Sequence, residues 1–198
     1  MTLEVLRPYM KDIMAPLISA SRRAGLTPNI LTVGALIAAA ASGVGFYLGH
    51  VLVGTVFVAL NAIMDGLDGA LARSQKIEGK RGDFLDHVAD RYADIFIITG
   101  IFAGGFASWQ VGVFALTGVL MSSYLGTQAQ AVGIGRYYGG ILGRADRLVL
   151  LIMAGILTLV LPGPILGLSL LCWILILFGV MGHITAIQRF AYVWKRMP

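Results

Sequence analysis

Between Met64 and Asp90 the sequence reads MDGLDGALARSQKIEGKRGDFLDHVAD and holds five aspartates. Asp65 and Asp68 are three residues apart, and Asp86 and Asp90 are four apart, so on helices each pair shares a face. The turn between the pairs brings those faces together. Carboxylates gathered this way repel, and at membrane depth each costs roughly 2.5–3.5 kcal/mol on insertion scales, so a cation must offset them. A hard divalent metal with oxygen-only ligands meets that need: Mg²⁺ or Mn²⁺ rather than zinc, with four acids able to hold two ions. The competing reading is a solvated cluster neutralised by Arg73, Lys76, Lys80, Arg81 and Arg91. That reading leaves Gly66 and Gly69, which flank Asp68, unexplained. Glycine weakens a helix by roughly 1 kcal/mol relative to alanine, and its use here implies that a ligand approaches the backbone.

The surroundings of these acids are apolar. Of 198 residues, 58% are hydrophobic and 13% charged, and the mean hydropathy is +0.83, which excludes an ordinary soluble domain. Apolar segments near 30–48, 51–71, 91–107, 110–131, 147–162 and 165–187 each approach the roughly 20 residues that cross a hydrocarbon core. The expected fold is therefore all-α: a polytopic membrane protein with six transmembrane helices, in one domain spanning residues 1–198. Ahead of them Leu3, Leu6, Met10, Ile13 and Leu17 recur at helical spacing among Arg7, Lys11 and Asp12. This predicts an N-terminal amphipathic helix, lying in the interface or packed over the cytoplasmic mouth. Gly25 to Asn29 ends it, with Thr27 and Pro28 as N-cap and first-turn proline of the next helix.

Net charge is +5, and the Lys and Arg residues fall at 7–23, 73–91, 136–147 and 189–196, in alternate connections. The positive-inside rule then places both termini and the acids on the cytoplasmic side of the cell membrane. No Lys/Arg stripe interleaves with stacking aromatics, so nucleic acid is not an expected partner. The single cysteine, Cys172, lies within an apolar span, which leaves no disulfide framework and no Cys/His metal set. Gly79 to Gly82 is the expected turn between the second and third spans, and the connection from Val132 to Arg144, with five glycines and Tyr137-Tyr138, is suited to shaping a pocket mouth.

Asp65-x-x-Asp68-Gly69-x-x-Ala72-Arg73, eight residues, then Gly82-x-x-x-Asp86-x-x-x-Asp90 resembles the signature of the CDP-alcohol phosphotransferase family, with all eight specified positions filled. The resemblance implies a dimetal enzyme, and a homodimer, that displaces CMP from a CDP-linked lipid with the hydroxyl of a small polar alcohol. Carried onto this chain, it makes Asp65, Asp68, Asp86 and Asp90 metal ligands and Asp90 also the general base. His87 is a rival base, Asp94 is expected to support the site or pair with a basic neighbour, and Asp83 is expected to be a solvated turn acid. CDP-lipid contacts are implied at Asn29, Ile30, Leu31 and Thr32, at Asp65, Gly69, Ala72 and Arg73, and near Gly79.

GLTPNILT, MDGLDGALAR, FLDHVADRYAD, GRADRLVLL and AIQR resemble, more narrowly, the phosphatidylinositol-phosphate synthases and their archaeal counterparts. There an acceptor phosphate is gripped by basic residues, which implies Arg147 and Arg189 here, with Arg144 nearby; arginine's planar fork of donors suits phosphate. One departure is SYLGTQAQ, where Gly126 and Gln128 stand at positions that are basic in the bacterial pattern, and Arg136 is the candidate to compensate. Inositol 1-phosphate is the leading acceptor, ahead of glycerol phosphate and of phosphate-free alcohols. A cation transporter is the reading from a different class. Against it, the acids gather at one interface instead of lining a path across, and a cation path does not need Gly69 and Arg73.

Overall fold

The structure, a computed structural model, describes all residues except 1–6, 78 and 198, with side chains from Met14 onward. Leu3 and Leu6 of the expected interfacial helix thus lie outside the described residues. Among the described residues seven helices form: α1 (Arg7–Arg23), α2 (Pro28–Tyr47), α3 (Val51–Gln75), α4 (Lys80–Ala103), α5 (Trp109–Ala131), α6 (Arg144–Val160) and α7 (Leu170–Trp194). Their starts follow local chemistry. Thr27 caps α2 by accepting from the Ile30 amide at 3.3 Å, ahead of Pro28, and Ser108 and Ser169 cap α5 and α7 in the same way.

Six helices follow α1 where six apolar segments were expected, and α2, α3 and α7 are long and apolar enough to cross a membrane. Polar first turns in α4, Ser122 to Gln130 in α5 and the 17-residue length of α6 set those three apart. Two boundaries differ from expectation. Lys76, in the left-handed region at φ 55°, closes α3, and Gly79 is the extended N-cap of α4, so the turn comes earlier and Gly82 lies inside the helix. Before α7, residues 165–168 close a tight turn through paired Ile165 and Leu168 backbone bonds of 2.9 and 3.1 Å. The Trp173 indole donates to the Ile165 carbonyl at 2.9 Å, so apolar residues that look like a span belong to a turn.

α2 packs most extensively on α3 and α4, α5 on α7, and α6 on α3 and α7. The core holds Phe46, Val58, Ile97, Ile101, Val119, Leu171 and Leu175. Small residues let backbones touch: a Cβ on Gly100 would land on the Gly43 backbone, and one on Gly182 would lie 2.6 Å from the Gly118 carbonyl carbon. On the other side Met14, Ile18 and Leu26 pack beside Leu31, Leu67 and Leu71, seating α1 on α3. A Cβ on Gly66 would lie 3.4 Å from the Met14 methyl, so what approaches the backbone at Gly66 is α1 and not a ligand.

The Gly100→Ala variant should force α2 from α4 and lower stability by about 1–3 kcal/mol, the usual range for overpacking. Gly163→Ala, with open space around it, should stay within about 0.5 kcal/mol of the parent. Thermal midpoints of the detergent-solubilised variants check both, and equal midpoints would contradict the helix contact.

Candidate active site

Asp65 and Asp68 end the second half of α3, and Asp86 and Asp90 sit in the first half of α4. The helices bring Asp65, Asp86 and Asp90 together, each offering an oxygen within 4.8 Å of the others. Asp68 is not one of these three, but it lines the same cleft as Asp86. It is 5% exposed and accepts from the Thr32 hydroxyl at 2.5 Å. Three convergent hard oxygens suit a divalent ion, and the place already attracts positive charge: Arg144 Nη1 lies 2.7 Å from Asp65 Oδ1 and 3.0 Å from Asp90 Oδ1. The aspartate cluster could therefore hold a metal.

Two clefts open on either side of these acids. One, of about 430 Å³, runs between the start of α2, the end of α3 and the start of α4. Of the residues expected on the nucleotide side, Asn29, Thr32, Gly69, Ala72, Arg73 and Gly79 line it. Ile30 instead faces outward at 52% exposure, Leu31 is 3% exposed in the apolar cluster under α1, and Asp65 faces the carboxylate trio. Arg81, Ile77 and Asp83 also line this cleft, unanticipated because only the turn geometry aims them inward. A Cβ on Gly69 would lie 3.2 Å from Arg73 Nη1, so the space above Gly69 is where the Arg73 guanidinium reaches over the helix.

The second cavity, of about 330 Å³, is walled by α4, α5, α6, α7 and the 132–143 loop. Arg136, Arg144, Arg147 and Arg189, expected from dispersed sequence positions, all line it, joined by Arg91. Most of their donors are engaged. Arg147 donates to Asp94 at 2.9 Å in a buried pair, which gives Asp94 the basic neighbour expected for it. Arg189 donates to the carbonyls of Ser122 at 2.6 Å, Gly139 at 2.8 Å and Tyr138 at 3.3 Å. A Cβ at Gly126 would lie 2.6 Å from Arg189 Nη1, so the glycine at this unusual position makes room for that guanidinium.

Arg136 binds Asp83 through two nitrogens at 3.0 and 2.8 Å and also donates to the Tyr138 hydroxyl at 2.9 Å. Asp83 is thus a loop anchor as well as an exposed acid. Hydrogen bonds from Arg136 hold its carboxyl below the ordinary value, and the same contact raises Arg136. His87 turns its Nδ1 to the Asp83 carbonyl at 2.7 Å, with Asp86 Oδ2 at 3.8 Å. Asp83 and Asp86 line both cavities, so the carboxylate cluster sits on the seam between them.

Apolar helices, convergent acids and two arginine-bearing clefts make a membrane protein equipped to hold phosphate groups beside a divalent ion. The chain belongs to the CDP-alcohol phosphatidyltransferase family, whose model matches residues 25–187. The family is membrane-integral, and its members are transferases of phospholipid biosynthesis. The chain is 32% identical over 195 residues to archaetidylinositol phosphate synthase of Methanothermobacter thermautotrophicus, covering 96% of this chain and 93% of that one. It is 33% identical to the synthase of the same name from Pyrococcus horikoshii, covering 98% of each. Among solved structures, the phosphatidylinositol phosphate synthase of Mycobacterium tuberculosis with CDP-DAG bound superposes with a TM-score of 0.79 at 26% identity, covering 94% of this chain and 99% of that one. The same enzyme in complex with manganese and citrate also gives 0.79 at 26% identity, covering 93% of both chains.

Because the Asp83 carboxyl is lowered on folding, its contribution to loop anchoring is complete above the unfolded value of about 4 and fades as pH falls through the lower folded one. Amide protection of residues 132–143 should drop between pH 5 and pH 3 in the parent. The Asp83→Asn variant should show the weaker protection at both pH values and several-fold faster trypsin cleavage after Arg136 at pH 8. Unchanged cleavage would mean that Arg136 does not hold the loop.

Proposed function

We propose that the chain transfers the phosphatidyl-type group of a CDP-linked lipid, built on archaeol or diacylglycerol, to a hydroxyl of inositol 1-phosphate, releasing CMP. The observation that carries this reading is the carboxylate seam between the two clefts. The names of the archaeal relatives and the bound CDP-DAG of the mycobacterial structure support it from outside the chain.

On this reading the nucleotide lies in the cleft of Asn29, Thr32, Gly69, Ala72, Arg73 and Gly79, with Arg73 and Arg81 toward its phosphates. The phosphorylated acceptor lies in the arginine-lined cavity, which gives a phosphate-bearing alcohol the advantage over a neutral one. Its hydroxyl oxygen forms a bond to the lipid-side phosphorus, the bond from that phosphorus to the CMP oxygen breaks, and Asp90 takes the proton. Asp65, Asp86 and Asp90, with Asp68 beside them, would hold two divalent ions, Mg²⁺ or Mn²⁺, whose chemistry when bound is to neutralise charge on the diphosphate. Asp90 and its rival His87 both line the acceptor cavity, and Asp90 is the favoured base because the His87 Nδ1 is already turned to the Asp83 carbonyl at 2.7 Å.

The whole chain, residues 1–198, acts as one domain. α2 to α7 make six crossings of the cell membrane with both termini and the site on the cytoplasmic side, a reading supported by Lys and Arg gathered at one end of the helices. The family resemblance implies a homodimer, in which each chain would carry its own pair of clefts.

With one CDP-lipid and purified protein, CMP release should be strong with inositol 1-phosphate and weak with glycerol 3-phosphate, inositol or serine, and should vanish in EDTA. Product from phosphate-free alcohols alone would reject the acceptor, and release in EDTA would reject the metal. The Asp90→Asn enzyme, folded by its melting curve, should lose about 10²–10⁴-fold in kcat; retention of full activity would remove Asp90 from its role.

A further inference from the structure

Arg144 belongs to two places at once. One of its nitrogens bonds both Asp65 Oδ1, at 2.7 Å, and Asp90 Oδ1, at 3.0 Å, and so stands in the gap between two members of the carboxylate trio. The same side chain lines the acceptor cavity, and its Nε is buried without a partner. Its neighbours are committed elsewhere: Arg147 to Asp94, and Arg189 to three backbone carbonyls. Among these three arginines, Arg144 is the one bonded to groups that a metal would use.

The two occupants of that gap exclude one another. A divalent ion and the guanidinium would compete for the same two carboxylates, and two cations in one cage repel. We propose that Arg144 is a displaceable counter-ion, seated between Asp65 and Asp90 until a divalent metal takes their oxygens and then turned into the acceptor cavity to bind the acceptor's phosphate. This rests on the metal and acceptor assignments made above. Arg144 then makes the two ligands interdependent: metal requires it out of the acid cage, and phosphate requires its donors in the cavity. Such coupling is reciprocal, so each ligand tightens the other. A fixed structural role for Arg144 predicts the opposite sign, since losing it would loosen the acids and weaken metal binding.

The test uses the full chain in nanodiscs. Free Mn²⁺ followed by electron paramagnetic resonance should show Arg144→Gln binding Mn²⁺ at least three-fold more tightly than the parent, while its KM for inositol 1-phosphate rises at least ten-fold. In the unaltered protein, phenylglyoxal labelling of Arg144, mapped by mass spectrometry, should be slow in EDTA, several-fold faster with Mn²⁺, and slowed again when inositol 1-phosphate is added. This second measurement stands even if the variant does not fold. Mn²⁺ binding to Arg144→Gln that is equal to or weaker than the parent's overturns the displacement, as does labelling indifferent to Mn²⁺; the metal assignment then survives, because the parent still binds. If the parent itself binds no Mn²⁺, the metal assignment and the displacement fall together.

Discussion

Carboxylates placed where water is scarce must be neutralised, and much of this molecule answers that requirement. Arg144 and Arg147, three residues apart at the start of α6, face Asp90 and Asp94, four apart on α4, with Asp65 of α3 joining the first pair. Removing one member of a buried ion pair typically costs 3–5 kcal/mol, because the other charge stays behind uncompensated. α6 packs on α3 and α7, and these guanidinium bonds tie it to α4 as well. A site and a helix junction are therefore built from the same residues. Asp146 strengthens the junction by accepting from the Gly143 amide at 3.0 Å, which fixes where the helix begins and hence from where both arginines extend.

The acids and their spacing were legible because helical periodicity puts i, i+3 and i+4 neighbours on one face whatever the rest of the chain does. Asp65, Asp86 and Asp90 do converge, and the caps Thr27 and Pro28 were readable from residue type alone. The partners of the acids were less legible. Nothing local says that Arg144, more than fifty residues beyond Asp90, enters the acid cage; that depends on how α6 is laid across α3. Gly66 misled for a related reason. A glycine announces close approach without naming what approaches, and here it is Met14 of α1. The beginning of α7 was blurred because hydropathy cannot tell an apolar turn, residues 165–168, from the helix it precedes.

Positive charge in the second cavity is unevenly spent. Arg136, Arg144 and Arg147 each face a carboxylate, whereas Arg189 bonds neutral carbonyls and pairs with no carboxylate among the described residues. Those carbonyls belong to Ser122 of α5 and to Tyr138 and Gly139 of the loop, so the same guanidinium also shapes the cavity wall. Tyr137 stacks on Tyr192 at 3.6 Å, fastening the loop to α7 close to Arg189. Gly126 is essential to that arrangement, since any side chain there would meet the Arg189 guanidinium and the Tyr137 carbonyl together. Absence of a basic residue at position 126 thus has a steric reason: the charge in that corner comes from Arg189.

Position on the seam also separates Asp68, Asp86 and Asp90. Asp68 lines the cleft at the start of α2 but not the arginine-lined cavity, Asp90 lines the arginine-lined cavity but not that cleft, and Asp86 lines both. In the proposed reaction the phosphorus under attack and the attacking oxygen must meet within bonding reach, so they meet at Asp86. A base has to reach the attacking oxygen from the acceptor's own side, which Asp90 does and Asp68 does not. Asp68, bonded to Thr32 of α2, instead links its cleft to the helix that forms the other wall. An i, i+4 pair on α4 therefore lets one helix present a shared acid at the seam and a second acid one turn further along, where the proposed reaction needs a proton acceptor.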